Sequence, residues 1–266
     1  MSTKFSLFLL TFIILSGILL LFFSYPIAVI FAVGISGALS SFKITQFELG
    51  LLITIIASSL AALASIVFGI PLAYILARYN FRFKEVIETI VDIPIAVPHM
   101  IVGIMIVLSF AQYYGFGALL QTLGIKVIDT IFGAVLAVLY VSSTYAVRII
   151  ESAIKGLDPE IENVALSLGA SRAITFFSVV IPNIKKALAN AILTSWARAS
   201  SEAGALLIVA YQVNFAGNFV YPASVAIYEA YVGLGVLEAA RFSVAMLILI
   251  LGIYLATRAV LRWKVE

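Results

Sequence analysis

Long apolar runs, each near the length that crosses a lipid bilayer, constrain this chain more than any other feature. They lie at about residues 5–33, 49–77, 93–111, 130–150, 187–209 and 242–262. A membrane-spanning helix needs about 20 mostly apolar residues. Only 11% of the residues are charged, whereas roughly a quarter are charged in a soluble domain. The sequence therefore predicts an all-α membrane protein with six transmembrane helices.

The remaining composition narrows this prediction. The runs are continuous, whereas the strands of a membrane barrel alternate apolar and polar residues, so strands are not expected. The first run exceeds the apolar part of a signal peptide, and we expect it to be a retained span, although Ser36-Gly37-Ala38 leaves cleavage open. The chain has no cysteine, which excludes disulfides and thiolate metal sites. Residues 1–266 are expected to form a single transmembrane domain.

Basic residues are concentrated in alternate loops. The loops after spans two, four and six carry most of them: Arg78, Arg82 and Lys84; Arg148, Lys155, Arg172, Lys185 and Lys186; Arg258, Arg262 and Lys264. The other loops carry Lys43 and Lys126, with Arg241 at a span boundary. The positive-inside rule then places the N- and C-termini in the cytoplasm of a multi-pass protein of the cell membrane. The net charge of +3 is thus explained by the basic residues of the cytoplasmic loops, and no nucleic-acid partner is predicted.

The gap between spans four and five, residues 156–182, contains the sequence DPEIENVALSLGASRAITFFSVVIP at 158–182. Asp158 is a good N-cap, Gly169 is a natural helix stop, and Ser171 can cap a second helix that Pro182 limits. This punctuation predicts a pair of short cytoplasmic helices.

The first of these helices is predicted to be amphipathic. Its apolar residues recur at helical spacing, and its polar residues are expected to face away: Leu157, Ile161, Val164 and Leu168 against Glu160, Glu162, Asn163 and Ser167. A helix resting on lipid usually presents Lys and Arg to the anionic membrane surface. Acidic residues favour docking against a protein partner, although a lipid-resting helix remains open.

The same stretch resembles a known motif. Glu162, Ala165 and Gly169, followed by Ile181-Pro182, resemble the EAA loop of ABC importer permeases, and their spacing is similar to that of the molybdate, tungstate and sulfate branch. Three further stretches agree: PLAYILAR at 71–78, DIPIAVPH at 92–99 and SWARASSEAGA at 195–205. Together they look most like the archaeal molybdate/tungstate permeases, from about residue 47 to the C-terminus.

The resemblance implies partners. The helix pair would fit a cleft in a P-loop ATPase subunit, through Glu160, Glu162, Ala165, Leu168, Gly169, Ala170 and Pro182. A permease homodimer would work with two ATPase copies and an extracellular or periplasmic oxyanion-binding protein. The chain lacks the G-x-x-x-x-G-K-[ST] pattern that cradles nucleotide phosphates, so ATP and Mg are expected on the partner ATPase, and no cofactor is expected on this chain.

Span five carries a polar stripe in which Asn190, Thr194, Arg198 and Glu202 follow one another at intervals of four. Polar groups within a membrane avoid lipid, so span five is expected to be central. One interpretation places the stripe on the translocation path, with Arg198 attracting an oxyanion. The other is that Arg198 and Glu202 pair and brace the core. Both remain open.

A candidate gate lies at the start of span three, where Asp92, Pro94, Pro98 and His99 fall close together. The charge pattern places this end of the span at the cytoplasmic side, as part of an inner gate. The pair of Asp92 and His99 suggests a proton relay, but we expect the prolines to bend the chain and His99 to satisfy a local backbone group.

These observations predict the permease subunit of an ATP-driven importer for a tetrahedral oxyanion, molybdate or tungstate first. Sulfate or thiosulfate is an alternative within the same superfamily. A gradient-driven secondary transporter, with Asp92, His99 and Glu202 as proton carriers, is another alternative, although no inverted repeat supports it. An enzyme is not expected, because one histidine and no cysteine give no catalytic constellation.

Overall fold

The computed structural model describes residues 7–111, 115–215 and 217–265. Helices account for nearly all of its regular structure. In chain order the elements are α1 (Leu7–Ser41), α2 (Thr45–Arg78), α3 (Lys84–Ala96), α4 (His99–Phe110), α5 (Gly117–Thr122), α6 (Ile131–Lys155), α7 (Glu160–Ser167), α8 (Arg172–Thr175), a π-helical turn (Phe176–Val180), α9 (Ile181–Asn183), α10 (Lys185–Ser200), α11 (Leu206–Val209), β1 (Val213–Phe215), β2 (Asn218–Val220), α12 (Ala223–Gly233) and α13 (Val236–Val265).

Four helices are long and apolar enough to cross a membrane: Phe8–Ser41, Thr45–Arg78, Ile131–Lys155 and Val236–Val260. They correspond to predicted spans one, two, four and six. Two further candidate spans are bent pairs, in which α4 turns by 117° from α3, and α10 turns by 73° from the segment Arg172–Asn183. The predicted all-α membrane fold is confirmed, with four to six spans.

Predicted spans three and five differ from single straight helices. The run predicted at 93–111 begins inside α3 and crosses the break at Pro98, whose backbone (φ −53°, ψ 132°) lies outside the helical region. The run predicted at 187–209 contains the end of α10 at Ser200 and the short α11. Strands were not expected, yet β1 and β2 form a two-stranded antiparallel hairpin in which Val213 pairs with Val220.

Small residues allow the central helices to pack closely. The main buried cluster joins α2, α4, α6 and α11 through residues such as Ile53, Ala61, Ala134 and Val138. A Cβ atom added to Gly103 of α4 would lie 2.7 Å from Ile208 Cβ, which is closer than packed atoms approach. Helix association in membranes depends on such close contact, because lipid tails are as apolar as the side chains.

The other helices form two satellite clusters. At one end of α2, Phe47 stacks on Phe242 of α13 at a ring distance of 4.4 Å, and α1 packs along α13. At the other end, Ala73 and Leu76 pack against α6 and against the segment that precedes α10. This second cluster positions α7 and α8 beside the end of α2.

Candidate functional site: the coupling helices and the polar cluster at the helix breaks

Local sequence determines the form of the helix pair α7 and α8. The Asp158 carboxylate accepts a hydrogen bond from the Glu160 backbone N–H at 2.9 Å, and the Ser171 hydroxyl accepts one from the Ile174 N–H at 3.3 Å. Gly169 lies between the helices at φ +89°, a conformation that L side chains rarely adopt. These contacts confirm the predicted caps and the predicted stop.

The second helical segment ends at Asn183, one residue after the predicted limit at Pro182. The π-helical turn Phe176–Val180 precedes it, and α9 continues through Pro182 to Asn183. The change of direction falls at Ile184, whose φ of −102° and ψ of 11° separate α9 from α10. The segment Arg172–Asn183 therefore leads directly into α10, which carries the polar stripe.

Glu162 does not face away from the protein. Arg78 Nε donates a hydrogen bond to Glu162 Oε1 at 2.6 Å, and the Tyr74 hydroxyl donates one to Oε2 at 2.8 Å. Arg78 also donates to the carbonyl of Leu157 at 3.1 Å. The expected outward orientation of Glu162 is wrong, because its partners lie more than 80 residues earlier and leave no trace in the helix period. Glu162 fastens α7 to the end of α2.

The outward face of α7 is apolar at its tip. Val164 and Leu168, one turn apart, are 52% and 84% exposed. Of the other predicted coupling residues, Glu160 and Gly169 are exposed, and Ala165 and Ala170 are half-buried. We call Val164 and Leu168 the coupling surface. Exposed apolar side chains on a braced helix, beside basic loops, are typical of an interface.

The polar stripe of α10 becomes more buried along the helix. Asn190 is exposed, Thr194 and Arg198 are half-buried, and Glu202 is buried just after the helix ends. On the packed side of α10, the Ser195 hydroxyl donates to the Ser142 carbonyl at 3.1 Å. The stripe therefore begins on an open side of α10 and turns toward its packed side as it approaches Glu202.

Glu202 gathers a charged cluster. Its Oε2 atom lies 2.8 Å from Arg198 Nη2 and 2.9 Å from His99 Nδ1, and its Oε1 atom accepts the Ala205 N–H at 3.0 Å. The side chains of His99, Arg198 and Glu202 are 37%, 18% and 0% exposed. The carboxylate is thus enclosed, whereas the two nitrogen-bearing side chains retain an open side. The expected pairing of Arg198 with Glu202 is present, but His99 joins it instead of bonding a local backbone group.

The cluster lies where two helix breaks meet. A Cβ atom at Gly204, which follows α10, would be 2.9 Å from His99 Cβ at the start of α4. Helix α10 begins with two lysines, at positions 185 and 186. Position 198 lies about 20 Å farther along its axis. His99 therefore lies far from the basic start of α10.

Asp92 contacts a different residue. Arg148 of α6 donates to Asp92 Oδ1 at 2.7 Å and to Oδ2 at 2.6 Å, and it also donates to Glu151 at 2.7 Å. The structure thus separates Asp92 from His99, and the suggested relay between them is wrong. The sequence analysis did not identify Arg148 and Glu151 as residues that hold α3 in place. The available signal was Glu151, an acidic residue at the end of an apolar run. In the described parts of the chain, no three metal-ligating side chains come together.

Permeases of known transport systems are similar to this chain in sequence. Over 214 residues, 80% of the chain and 76% of the relative, the protein is 34% identical to the molybdate/tungstate transport system permease protein WtpB of Pyrococcus abyssi. It is 32% identical over 163 residues, 61% of the chain and 57% of the relative, to the probable sulfate transport system permease protein cysT of Chlorokybus atmophyticus.

A solved structure shares the fold. A bacterial ABC transporter involved in the import of the acidic polysaccharide alginate superposes with a TM-score of 0.75 at 18% identity, covering 97% of this chain and 96% of its own. The family model described as "Binding-protein-dependent transport system inner membrane component" matches residues 69–263. The protein therefore belongs to this family of ABC importer permeases, as its resemblance to the EAA loop indicated.

Proposed function

We propose that this chain imports a tetrahedral oxyanion, molybdate or tungstate first, as the membrane subunit of an ATP-driven transporter. Sulfate or thiosulfate is the second candidate, because a probable sulfate permease is also among its relatives. The observation that carries the proposal is the cluster at the helix breaks. Its carboxylate, Glu202, is enclosed, and its partly exposed groups, Arg198 and His99, can donate hydrogen bonds to an anion.

The stripe of Asn190, Thr194, Arg198 and Glu202 would line one side of the translocation path, and Pro94, Pro98 and His99 would belong to its gate. Because Glu202 offsets the charge of Arg198, the cluster would not hold an anion tightly. An importer must release its cargo, so such weak attraction suits a transit point. Asp92 would act at a distance, by holding α3.

Two copies of the permease would assemble with two ATPase subunits and an external oxyanion-binding protein, and both termini would be cytoplasmic. ATP and Mg would bind to the ATPases. Closure of the ATPases would act on the helix pair α7 and α8, and so shift the dimer from inward-open to outward-open states. Glu160, Ala165, Leu168, Gly169 and Ala170 would belong to the contact, with Glu162 and Pro182 supporting it.

Uptake by the reconstituted transporter tests the substrate. Proteoliposomes holding the permease and its ATPase, with ATP inside and the binding protein outside, should accumulate radiolabelled tungstate. Excess molybdate should compete strongly and sulfate weakly. Arg198→Gln should reduce uptake by about tenfold or more, because a charge-assisted hydrogen bond is lost. Lys126→Gln, an exposed loop change, is the matched control. Uptake of sulfate in preference to tungstate would move the assignment to the second candidate.

Binding of the ATPase tests the coupling surface. Leu168→Asp should abolish co-purification of the ATPase, because a carboxylate would be buried in an apolar contact. Glu85→Gln, at an exposed position in the first turn of α3 and outside this contact, should retain it. An ATPase that still co-purifies in equal amount with Leu168→Asp would place the interface elsewhere. Glu162 is unsuited to this test, because its replacement also removes the support of α7.

A further inference from the structure

A polar cavity of about 220 Å³ lies between the end of α2 and the helix pair α7 and α8. Tyr74, Arg78 and Tyr79 line it from α2, and Glu162, Arg172 and Thr175 line it from the helix pair. Exposed residues, Asn163 and Arg172, form part of its rim. Leu166 of α7, which is 38% exposed, is also part of its lining, so the cavity borders the helix pair that carries the coupling surface.

The charges in this cavity do not balance. Arg78 and Glu162 pair with each other at 2.6 Å. Arg172 donates a hydrogen bond to the Tyr79 hydroxyl at 2.8 Å, and none of the ion pairs among the described residues includes it. The cavity therefore keeps one positive charge that is held in place by a hydrogen bond but has no carboxylate beside it.

Thr175 gives a second, independent indication that the cavity accepts a hydrogen-bonding group from outside the chain. The residue is 2% exposed, and its hydroxyl has no hydrogen-bond partner among the described residues. A buried hydroxyl without a partner costs free energy, and most such groups in proteins are satisfied. Because Thr175 lines the cavity that also holds Arg172, one acceptor group could bond both.

We propose that this cavity receives an aspartate or glutamate side chain from the ATPase subunit, which pairs with Arg172 and accepts a hydrogen bond from Thr175. This inference rests on the proposed docking of the ATPase at the coupling surface. A carboxylate matches the unbalanced charge, and the place of the cavity within the helix pair that is proposed to dock favours a partner side chain over a free ion. The ionic contact between the two subunits is thus made by Arg172, since Glu162 is already paired within the permease.

The affinity of the detergent-purified permease for its ATPase tests the inference. Arg172→Gln should weaken the Kd by about tenfold, the effect of losing a charge-assisted hydrogen bond. Arg82→Gln removes the same charge from an exposed site on the same side of the protein and outside the cavity, and should leave the Kd unchanged. An equal Kd for wild type and Arg172→Gln would overturn the inference.

Thr175→Val separates a role in ATPase binding from a role in stability, because the substitution should change the affinity and the Tm in opposite senses. It should weaken the Kd severalfold and yet raise the Tm of the isolated permease, because an unsatisfied buried hydroxyl is removed. A raised Tm with an unchanged Kd would count against the inference, and so would a lowered Tm. Leu168→Asp separates the two proposals, since its normal binding would contradict the docking itself, whereas normal binding of Arg172→Gln alone contradicts only the ionic contact.

The partner residue can be identified in the same system. Arg172→Glu should lose ATPase binding, and one acidic-to-arginine exchange in the ATPase should restore it. Failure of every acidic position in the ATPase to restore binding would count against the inference. If millimolar sulfate releases the ATPase from wild type more than chloride of equal ionic strength does, and not from Arg172→Gln, the cavity binds a free oxyanion and the inference is wrong.

Discussion

Removal of the Glu162 carboxylate would leave the Arg78 guanidinium, whose side chain is 11% exposed, without the group it pairs with. An uncompensated charge of this kind is costly, so Glu162→Ala should lower the free energy of unfolding by about 3 kcal/mol. Thermal unfolding of the purified permease, without ATPase, measures this loss. Glu160→Ala, at an exposed position two residues earlier, should cost less than about 1 kcal/mol. Equal losses in the two variants would show that the contact with Arg78 contributes little.

At this same scale, local chemistry was predictable and distant contacts were not. The cap at Asp158 and the stop at Gly169 follow from residue types that act on their own neighbours. The bonds that define the site join residues far apart: Glu162 with Arg78, and His99 with Glu202. Helical periodicity reports only which side of a helix is apolar. A carboxylate that meets a buried arginine therefore looks the same in the sequence as one that meets water.

At the scale of elements, continuous helices were predictable because length and hydropathy decide them. The breaks were harder to predict. Pro98 indicated a bend, but its 117° extent depends on how α4 packs against α11 through Gly103. The end of α10 had a weaker signal, since apolar residues continue to 209. There Glu202 accepts the Ala205 N–H, so the chain leaves the helical path without losing that bond.

Arg148 of α6 holds α3 through Asp92. Two substitutions should separate the contribution of Arg148 from that of Asp92. Arg148→Gln leaves Glu151, whose side chain is 3% exposed, without one of its cations and removes both bonds to Asp92. Amide hydrogen exchange in Lys84–Ala96 should then rise by about tenfold or more, because α3 detaches more often. Asp92→Asn should have a small effect, since that carboxylate is 51% exposed and exposed pairs contribute little. Unchanged exchange in Arg148→Gln would mean that packing alone holds α3.

At the scale of the whole molecule, the two candidate sites lie at different positions along α10. The helix pair, Arg78 and Arg172 lie at the end that the charge pattern places inside, and the β-hairpin lies beyond the outer part of α10. As an ABC permease component, the chain is not itself catalytic. Family membership also disfavours the gradient-driven alternative, because the energy enters through a partner. In the proposed mechanism, movement at α7 and α8 would reach the polar cluster about 20 Å away, along α10.

This arrangement requires one orientation in the membrane, and the absence of cysteine makes the orientation measurable. Glu85 in the first turn of α3 and Asn218 in β2 are both exposed, and the charge pattern places them on opposite sides of the membrane. In intact cells, a membrane-impermeant maleimide should label Asn218→Cys at once and Glu85→Cys only after permeabilisation, because the positive-inside rule places the loop after α2 in the cytoplasm. The reverse pattern would turn the coupling surface outward, where no ATP is available. Labelling of both sites in intact cells would mean that the chain inserts in two orientations, and the charge argument would then fail.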